Sequence, residues 1–408
     1  MSRQRAGLGT NQEAVRRHNL GTLLRHVHRA GHISRAELTS MMGLNRSTIA
    51  GLVGELESLG VTERALPVGA RQGAGRPSAG VRLTDSGPYV IGVDLGVDRA
   101  VVARVGLGGV IEQRTEAPIY ATAGEAWQVG SSVATLIREV VEDAPVSAPL
   151  VGIGVSVPGL VRRTDGLVRL APNLEWHDVS FGGIVLAALG LDIPVSIAND
   201  ADLGALAEHQ RGAGVGIDDL IYVSGNVGVG AGVITGGHRL EGAGGYAGEV
   251  GHLRFNPQGH PCHCGNLGCW ETEVGAHAIA AAIRCPADKV AQLGEVLAAF
   301  DKPTRELRAT GTALGHGLAS IVNAFNPRVV VLGGYFRALF TLVGAEVQAG
   351  LADRALPAPL ESVTLALPGL GEDSVLLGAA EIAFEPLFVD PVAALGTALV
   401  DVRSRLAG

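Results

Sequence analysis

Gly244-Gly245-Tyr246-Ala247-Gly248-Glu249-Val250-Gly251-His252 leads, after nine residues, into Cys262-His263-Cys264-Gly265-Asn266-Leu267-Gly268-Cys269-Trp270-Glu271. Three of the chain's four cysteines fall within eight residues here. In a reducing compartment such clustering reads as metal before disulfide. Three thiolates and one imidazole make a tetrahedral site of the closed, structural kind. His252 gives the spacing His-x9-Cys-x-Cys-x4-Cys, with His260 and His263 competing for the fourth place. Closing this loop through a metal would rigidify Gly259-His260-Pro261, which cannot pack by itself. Two acids, Glu249 and Glu271, flank the loop. With His252 they suit the several hydroxyls of a sugar, each both donor and acceptor; the plainer reading of the two acids is surface charge. The fourth cysteine, Cys285, reads as an ordinary half-buried residue.

Around this stretch lies a chain of 408 residues with a formal net charge of −8. The length allows two to four domains and a real hydrophobic core without a disulfide framework. The N-terminal segment MSRQRAGLGTNQEAVRRH has no apolar run, so no signal peptide is expected. No stretch approaches a membrane span either, which makes the cytoplasm the expected location. The charge is unevenly divided. Residues 1–82 carry 12 Arg, no Lys and five acidic residues, a net of +7, against −15 for the remaining 326. A basic head on an acidic body points to a polyanion-binding module joined to something else.

The head reads as a winged helix-turn-helix. Leu20, Leu23, Leu24 and Val27 repeat at helical spacing, giving a first helix over about residues 13–29. Ser34-Arg35-Ala36-Glu37 is a capping box opening a short second helix that ends at Gly43. Asn45 is a good N-cap for a third helix with the apolar face Ile49, Leu52, Val53, Leu56 and Leu59. Its first turn, Arg46, Ser47 and Thr48, is the part that meets base edges when such a helix lies in a major groove. Arg71 and Arg76, in a flexible stretch without acids, read as a wing near phosphates or a minor groove. A three-helix protein-interaction module with a loose linker is the competing reading. Residues 84–88 mark the expected boundary, with a DNA-binding domain over 1–85.

The body reads as two-lobed α/β. Buried strands are expected at Tyr89–Asp94, Val101–Val105, Val151–Val157 and Val195–Ala198, and a second set at Leu220–Val223, Val229–Ile234 and Val329–Leu332. Helices lie between them, at about 126–142, 201–211, 274–284, 311–324 and 375–384. The alternation implies a mainly parallel or mixed sheet, and a cleft between lobes is where a ligand would bind. Asn199-Asp200 follows a strand and opens a helix. A side chain there faces the crevice of an open α/β sheet, where Asp200 could take a proton from a hydroxyl and Asn199 could bond its neighbour. The pair could equally be a helix cap. The glycine-rich run 225–232 is either a phosphate approach or a tight hairpin.

Taken together, the two quoted motifs, Ala198-Asn199-Asp200-Ala201 and Ala171-Pro172-Asn173-Leu174 resemble the ROK family of repressors, open reading frames and sugar kinases. The resemblance covers about residues 88–388, and the head resembles the winged helix of the family's regulators. It implies an actin-like, hexokinase-type (RNase H-like) fold over 86–388. It implies zinc held by His252, Cys262, Cys264 and Cys269, and a sugar held by Asn199, Asp200, Glu249, His252 and Glu271. In kinase members the residue matching Asp200 is the catalytic base. The phosphate loops depart from the kinase pattern. Where kinases usually read Asp-x-Gly-Gly-Thr, this chain has Asp94-Leu95-Gly96-Val97-Asp98, and the carboxylate would repel a phosphate. Where they read Gly-Thr-Gly, it has Asn226-Val227-Gly228.

A complete sugar side beside a damaged ATP side implies a sugar-responsive transcriptional regulator, a repressor of carbohydrate-utilisation genes, rather than an enzyme. Its partners would be double-stranded operator DNA, a small sugar and a second copy or three further copies of itself, with no membrane. An active ATP-dependent sugar kinase with a DNA-binding appendage, and a regulator controlled by a partner protein, are the alternatives. The last residues, 389–408, are either a closing helix or a loose tail.

Overall fold

The computed structural model describes residues 12–66, 80–119 and 125–406. Its head holds α1 (Gln12–Ala30), β1 (His32–Ser34), α2 (Arg35–Met42), α3 (Arg46–Ser58), β2 (Thr62–Ala65) and β3 (Gly80–Leu83). Both local signals act as their chemistry requires. The Ser34 hydroxyl accepts from Glu37 N while the Glu37 carboxylate accepts from Ser34 N. Gly43 ends α2 in the left-handed conformation, φ 64°, and the Asn45 side chain accepts from Thr48 N to open α3. The three strands pair antiparallel in the order β1-β3-β2. The expected wing, with Arg71 and Arg76, lies outside the described residues.

The first lobe contains β4 (Tyr89–Leu95), β5 (Arg99–Gly106), β6 (Val110–Pro118), α4 (Ala126–Val141), β7 (Leu150–Val157), a small antiparallel sheet of β8 (Leu160–Val161), β9 (Val168–Ala171) and β10 (Trp176–Val179), then α5 (Phe181–Leu189) and β11 (Val195–Asn199). Helix α6 (Asp200–Arg211) leads into the second lobe: β12 (Leu220–Gly225), β13 (Val229–Thr235), β14 (His238–Arg239), α7 (Glu271–Val274), α8 (Ala276–Ile283), α9 (Leu293–Ala298), α10 (Arg305–Phe325), β15 (Val329–Gly334), α11 (Phe336–Arg354), α12 (Pro357–Ser362) and β16 (Thr364–Ala366). Helix α13 (Ser374–Val389) returns to the first lobe, followed by α14 (Pro391–Thr397) and α15 (Val402–Leu406).

The two principal sheets repeat one topology. The first is ordered β11-β7-β4-β5-β6 and the second β14-β13-β12-β15-β16, mirror images as written and the same path when traced from the first strand. In each, three strands run as an antiparallel meander and two more add parallel to the first. The strand sets therefore form two related lobes with mixed sheets, a kinship that residue identity alone was too weak to carry. The helix expected near 274–284 is α8, and Gly275 separates it from the short α7 that precedes it.

Helices α6 and α13 lie between the sheets. The α13 backbone runs so close to the first sheet that a methyl on Gly154 would collide with the Ala379 carbonyl. A methyl on Gly232 would likewise collide with the Ala201 carbonyl of α6, which covers the second sheet. Where the helices cross, Gly378 leaves no room for a side chain above Leu203. The fully buried Glu208 fixes this crossing: it accepts from Ala213 N, Gly369 N, Leu370 N and the Ser374 hydroxyl, at 2.7–3.0 Å. Four charge-assisted bonds offset the cost of burying one carboxylate.

The head is not strung on a free linker. Leu20, Leu23, Leu24 and Val27 of α1 belong to the same apolar cluster as Leu376, Phe384, Leu387 and Phe388 of α13. The chain end closes the first lobe: Leu399 exchanges two backbone hydrogen bonds with Leu150, and Val402 is buried in that lobe's core.

Candidate functional site

Asn199, Asp200, Glu249, His252 and Glu271 all line one interlobe cleft of about 2520 Å³. They come from β11, α6, a one-turn helix at Val250–His252 and the start of α7. The same cleft is lined by Asp94, Gly96, Val97 and Asp98 of the β4–β5 hairpin and by Asn226, Val227 and Gly228 of the β12–β13 hairpin. The equivalent hairpins of the two lobes thus border one cavity.

Three of the five side chains, Asn199, Glu271 and Asp200, already hold hydrogen bonds within the chain. The Asn199 carbonyl caps α6 by accepting from Ala201 N and Asp202 N, and its amide donates to Gly159 O. The capping alternative therefore holds for Asn199, which leaves one amide hydrogen for a ligand. Glu271 accepts from Val229 N at 2.9 Å and lies 3.7 Å from the Cys262 sulfur.

Asp200 is set deep in the cleft, and burial pushes its carboxyl up to about 6; the nearby Asp94 adds to the rise and Asn226 opposes it. The opposing contact is direct: the Asn226 amide donates to Asp200 Oδ2 at 3.0 Å. Sequence reasoning missed this bond, since Asn226 registered only as the loss of a phosphate-loop hydroxyl. Burial also raises the Asp94 carboxyl, which accepts from the Ser156 hydroxyl at 2.7 Å. Glu249 is raised by burial as well.

The ligand atoms of His252, Cys262, Cys264 and Cys269 all lie within 4.8 Å of one another. Cys262 Sγ is 3.7 Å from His252 Nδ1, and Cys264 Sγ is 3.6 Å from Cys269 Sγ. Tetrahedral ligands at Zn–S distances of about 2.3 Å sit about 3.8 Å apart, so these residues fit a zinc ion. Of the three competing histidines, His252 is the one gathered with the three sulfurs. His263 instead approaches His277, ring centroids 6.1 Å apart. The Nε2 edge of His252 looks the other way, 4.0 Å from Glu249 Oε2. The two ring nitrogens of His252 thus face the sulfur cluster and the cleft respectively.

In the head, Arg46 and Ser47 are exposed and Thr48 half-buried. The Ser47 and Thr48 hydroxyls both donate to Asn45 Oδ1, at 2.7 and 2.9 Å, so each offers a ligand only its oxygen lone pairs. The charge count overstated the free positive charge. Arg16, Arg17, Arg25, Arg35 and Arg82 are all held in ion pairs, with Glu55, Asp390, Glu385, Glu57 and Glu63. Among the described residues Arg29, Arg46 and Arg64 are exposed arginines of the head outside any ion pair. No helix of the described residues is long and apolar enough to cross a membrane.

The chain matches the ROK family over residues 90–385. It is 30% identical over 379 residues to the xylose repressor of Bacillus spizizenii, a match covering 92% of this chain and 97% of the relative. Among solved structures, a ROK family transcriptional regulator, homolog of the E. coli MLC protein, superposes with a TM-score of 0.73 at 25% identity, covering 97% of this chain and all of the other. The ROK glucokinase of Streptomyces griseus, solved with glucose and AMPPNP, superposes with a TM-score of 0.61 at 26% identity, covering 73% of this chain and 99% of its own. The mixed α/β body has the actin-like, hexokinase-type fold of these structures, and the chain belongs to the ROK family.

Proposed function

We propose that this chain is a sugar-responsive transcriptional repressor. The observation that carries the reading is coverage: the repressor and regulator matches extend over 92% and 97% of the chain and so include the head, while the glucokinase match at 73% spans only a length like that of the body. The head, residues 1–85, acts as a winged helix-turn-helix that lays α3 in the major groove of operator DNA. Arg46 reads a base edge there, and Ser47 and Thr48 serve mainly to hold the helix start. Replacing Arg46 by Ala should weaken operator binding about tenfold to a hundredfold, as for loss of one good base contact. Fluorescence anisotropy at fixed salt measures it, and unchanged affinity would remove α3 from the DNA interface. Arg71 and Arg76 are assigned phosphate contacts whose contribution falls with salt.

The body, 86–388, binds the sugar. Asp200 and Glu249 accept sugar hydroxyls, Glu271 and His252 Nε2 complete the polar wall, and the spare Asn199 amide hydrogen donates. His252, Cys262, Cys264 and Cys269 would hold zinc, which supplies a structural crosslink to the loop carrying them. Closing the lobes on a sugar changes how two heads of a dimer or tetramer are spaced, and half-sites tolerate little change in spacing. The location that fits this role is the cytoplasm.

The chain is proposed not to be a working kinase. Asp98 brings a carboxylate to the hairpin that would meet phosphate, and the Asn226 amide, donating to Asp200 Oδ2, makes that carboxylate a weaker base than it would be without the bond. Both Asp94 and Asp200 nevertheless line the cleft, which favours the glucokinase-like alternative enough to test. A coupled ADP assay over a panel of pentoses, hexoses and N-acetylhexosamines should give no sugar-dependent release. Turnover that Asp200→Asn abolishes would establish the kinase instead. A regulator governed by a partner protein becomes the better reading if zinc-loaded protein binds no sugar.

A further inference from the structure

His28 of α1, Arg211 at the end of α6 and Glu381 in the middle of α13 meet in one buried cluster. His28 is wholly buried and Glu381 is 2% exposed. The Glu381 carboxylate faces His28 Nε2 with both oxygens at 3.1 Å and accepts from Arg211 Nε at 2.5 Å. Arg211 Nη2 lies against His28 Nε2, and Arg211 Nη1 donates to Gly108 O at 2.8 Å. Gly108 N donates to His28 Nδ1 at 3.0 Å. That bond requires Nδ1 to be unprotonated, so Nε2 carries the proton and donates to Glu381. Burial keeps His28 neutral. Against the upward push of its own burial, Glu381 is held below the usual carboxylate range by His28 and Arg211.

The head, the helix on the second sheet and the helix on the first sheet each contribute one residue. Helix α13 packs backbone-close on the first sheet and α6 on the second, and they cross at Gly378. A rotation of one lobe against the other must therefore turn α6 over α13 and shift Arg211 relative to Glu381. Helix α6 begins at Asp200 in the cleft and ends at Arg211 under the head, so a displacement at one end reaches the other along a single rigid element. Other contacts seat the head on α13: a methyl on Gly21 would collide with the Phe388 carbonyl, and Arg25 grips Glu385 with two bonds of 2.9 and 3.0 Å. Arg211, against the His28 ring and the His28 carbonyl, is what ties α6 to the same helix of the head.

We propose that His28, Arg211 and Glu381 form the joint at which lobe closure is read by the DNA-binding head. The inference rests on the sugar-responsive reading above. The three are positioning residues: none touches the sugar cleft or the DNA-facing turn of α3. Unpaired, the joint would let α6 turn without moving α1. The coupling, rather than either binding event, is what its loss removes.

The test uses the full-length, zinc-loaded protein with a labelled duplex from upstream of its own gene, and D-xylose, D-glucose and N-acetylglucosamine as probes. Glu381→Gln and Arg211→Lys are compared with the parent, with Arg16→Ala as a surface control. Melting temperature and sugar Kd without DNA are measured for each. In the parent, a probe should change operator affinity within the usual coupling range of about 5–150-fold. In Glu381→Gln that factor should fall below about twofold while sugar Kd stays within about threefold. Arg211→Lys, which keeps the charge but not the fork, should be intermediate. A folded variant that retains the parent's full factor overturns the joint. If either variant melts early, the other decides by the same factor. A parent whose operator affinity ignores every probe sinks the sugar-responsive reading itself, and the joint with it.

Discussion

Asp200→Asn should abolish the sugar response while leaving operator binding intact. The substitution keeps the shape and removes an ionised acceptor. A hydrogen bond to a charged group is worth about 2–3 kcal/mol, so sugar Kd should rise about thirtyfold to a hundredfold, read by isothermal titration calorimetry. The pH dependence follows from the raised carboxyl. Asp200 takes up a proton as pH falls through about 6, so sugar affinity should decline through that range in the parent. Glu249, also raised by burial, adds to the decline. In Asp200→Asn the share due to Asp200 disappears. Stability should move the other way. A carboxylate whose folded-state pKa exceeds its unfolded value costs stability once pH is above both, and the cost vanishes below the unfolded value. Asp200→Asn should therefore melt a few degrees higher than the parent at pH 7.5, with no gain near pH 3. A variant that binds sugar as the parent does would remove Asp200 from the site.

Cys264→Ser should be the more damaging change. Its thiol is exposed, so the substitution opens no cavity, yet it removes one of the four ligand atoms gathered within 4.8 Å. Zinc measured by inductively coupled plasma mass spectrometry should fall from one per chain toward zero. A loop closed by zinc there would hold Glu249 and Glu271 in place at its two ends. Its loosening should lower the melting temperature by about 5–10 °C and weaken sugar binding at least about tenfold. Chelation of the parent should reproduce both effects, and restored zinc should reverse them. An apo protein that keeps normal sugar affinity would show that the shared imidazole does not organise the cleft.

The parts legible in the sequence were those written in short range. Ser34 with Glu37, Gly43 and Asn45 specify the head's helix ends within a few residues, and the structure bonds them accordingly. The cysteine spacing pointed to a ligand set for the same reason, and the structure gathers those side chains within 4.8 Å of one another. Spacing alone left the histidine open, because His252 arrives from a separate turn, and it was the family resemblance that named His252. Strand β6 escaped notice because it is an edge strand whose Glu112, Gln113, Arg114 and Glu116 face solvent, so it lacks the apolar signal of its neighbours. Long-range pairings were invisible altogether. Asn226 reaches Asp200 across 26 positions, and His28 meets Glu381 across 353. The head's arginines misled for a related reason: Arg17 and Arg25 are neutralised by acids from the far end of the chain.

The most direct test is fluorescence anisotropy of the purified, zinc-loaded protein on DNA from upstream of its own gene, titrated with the sugar panel. Tight, salt-dependent binding that one sugar shifts is the result expected of a sugar-responsive repressor. Binding no stronger than to unrelated DNA across neighbouring promoters, with or without sugar, would contradict it.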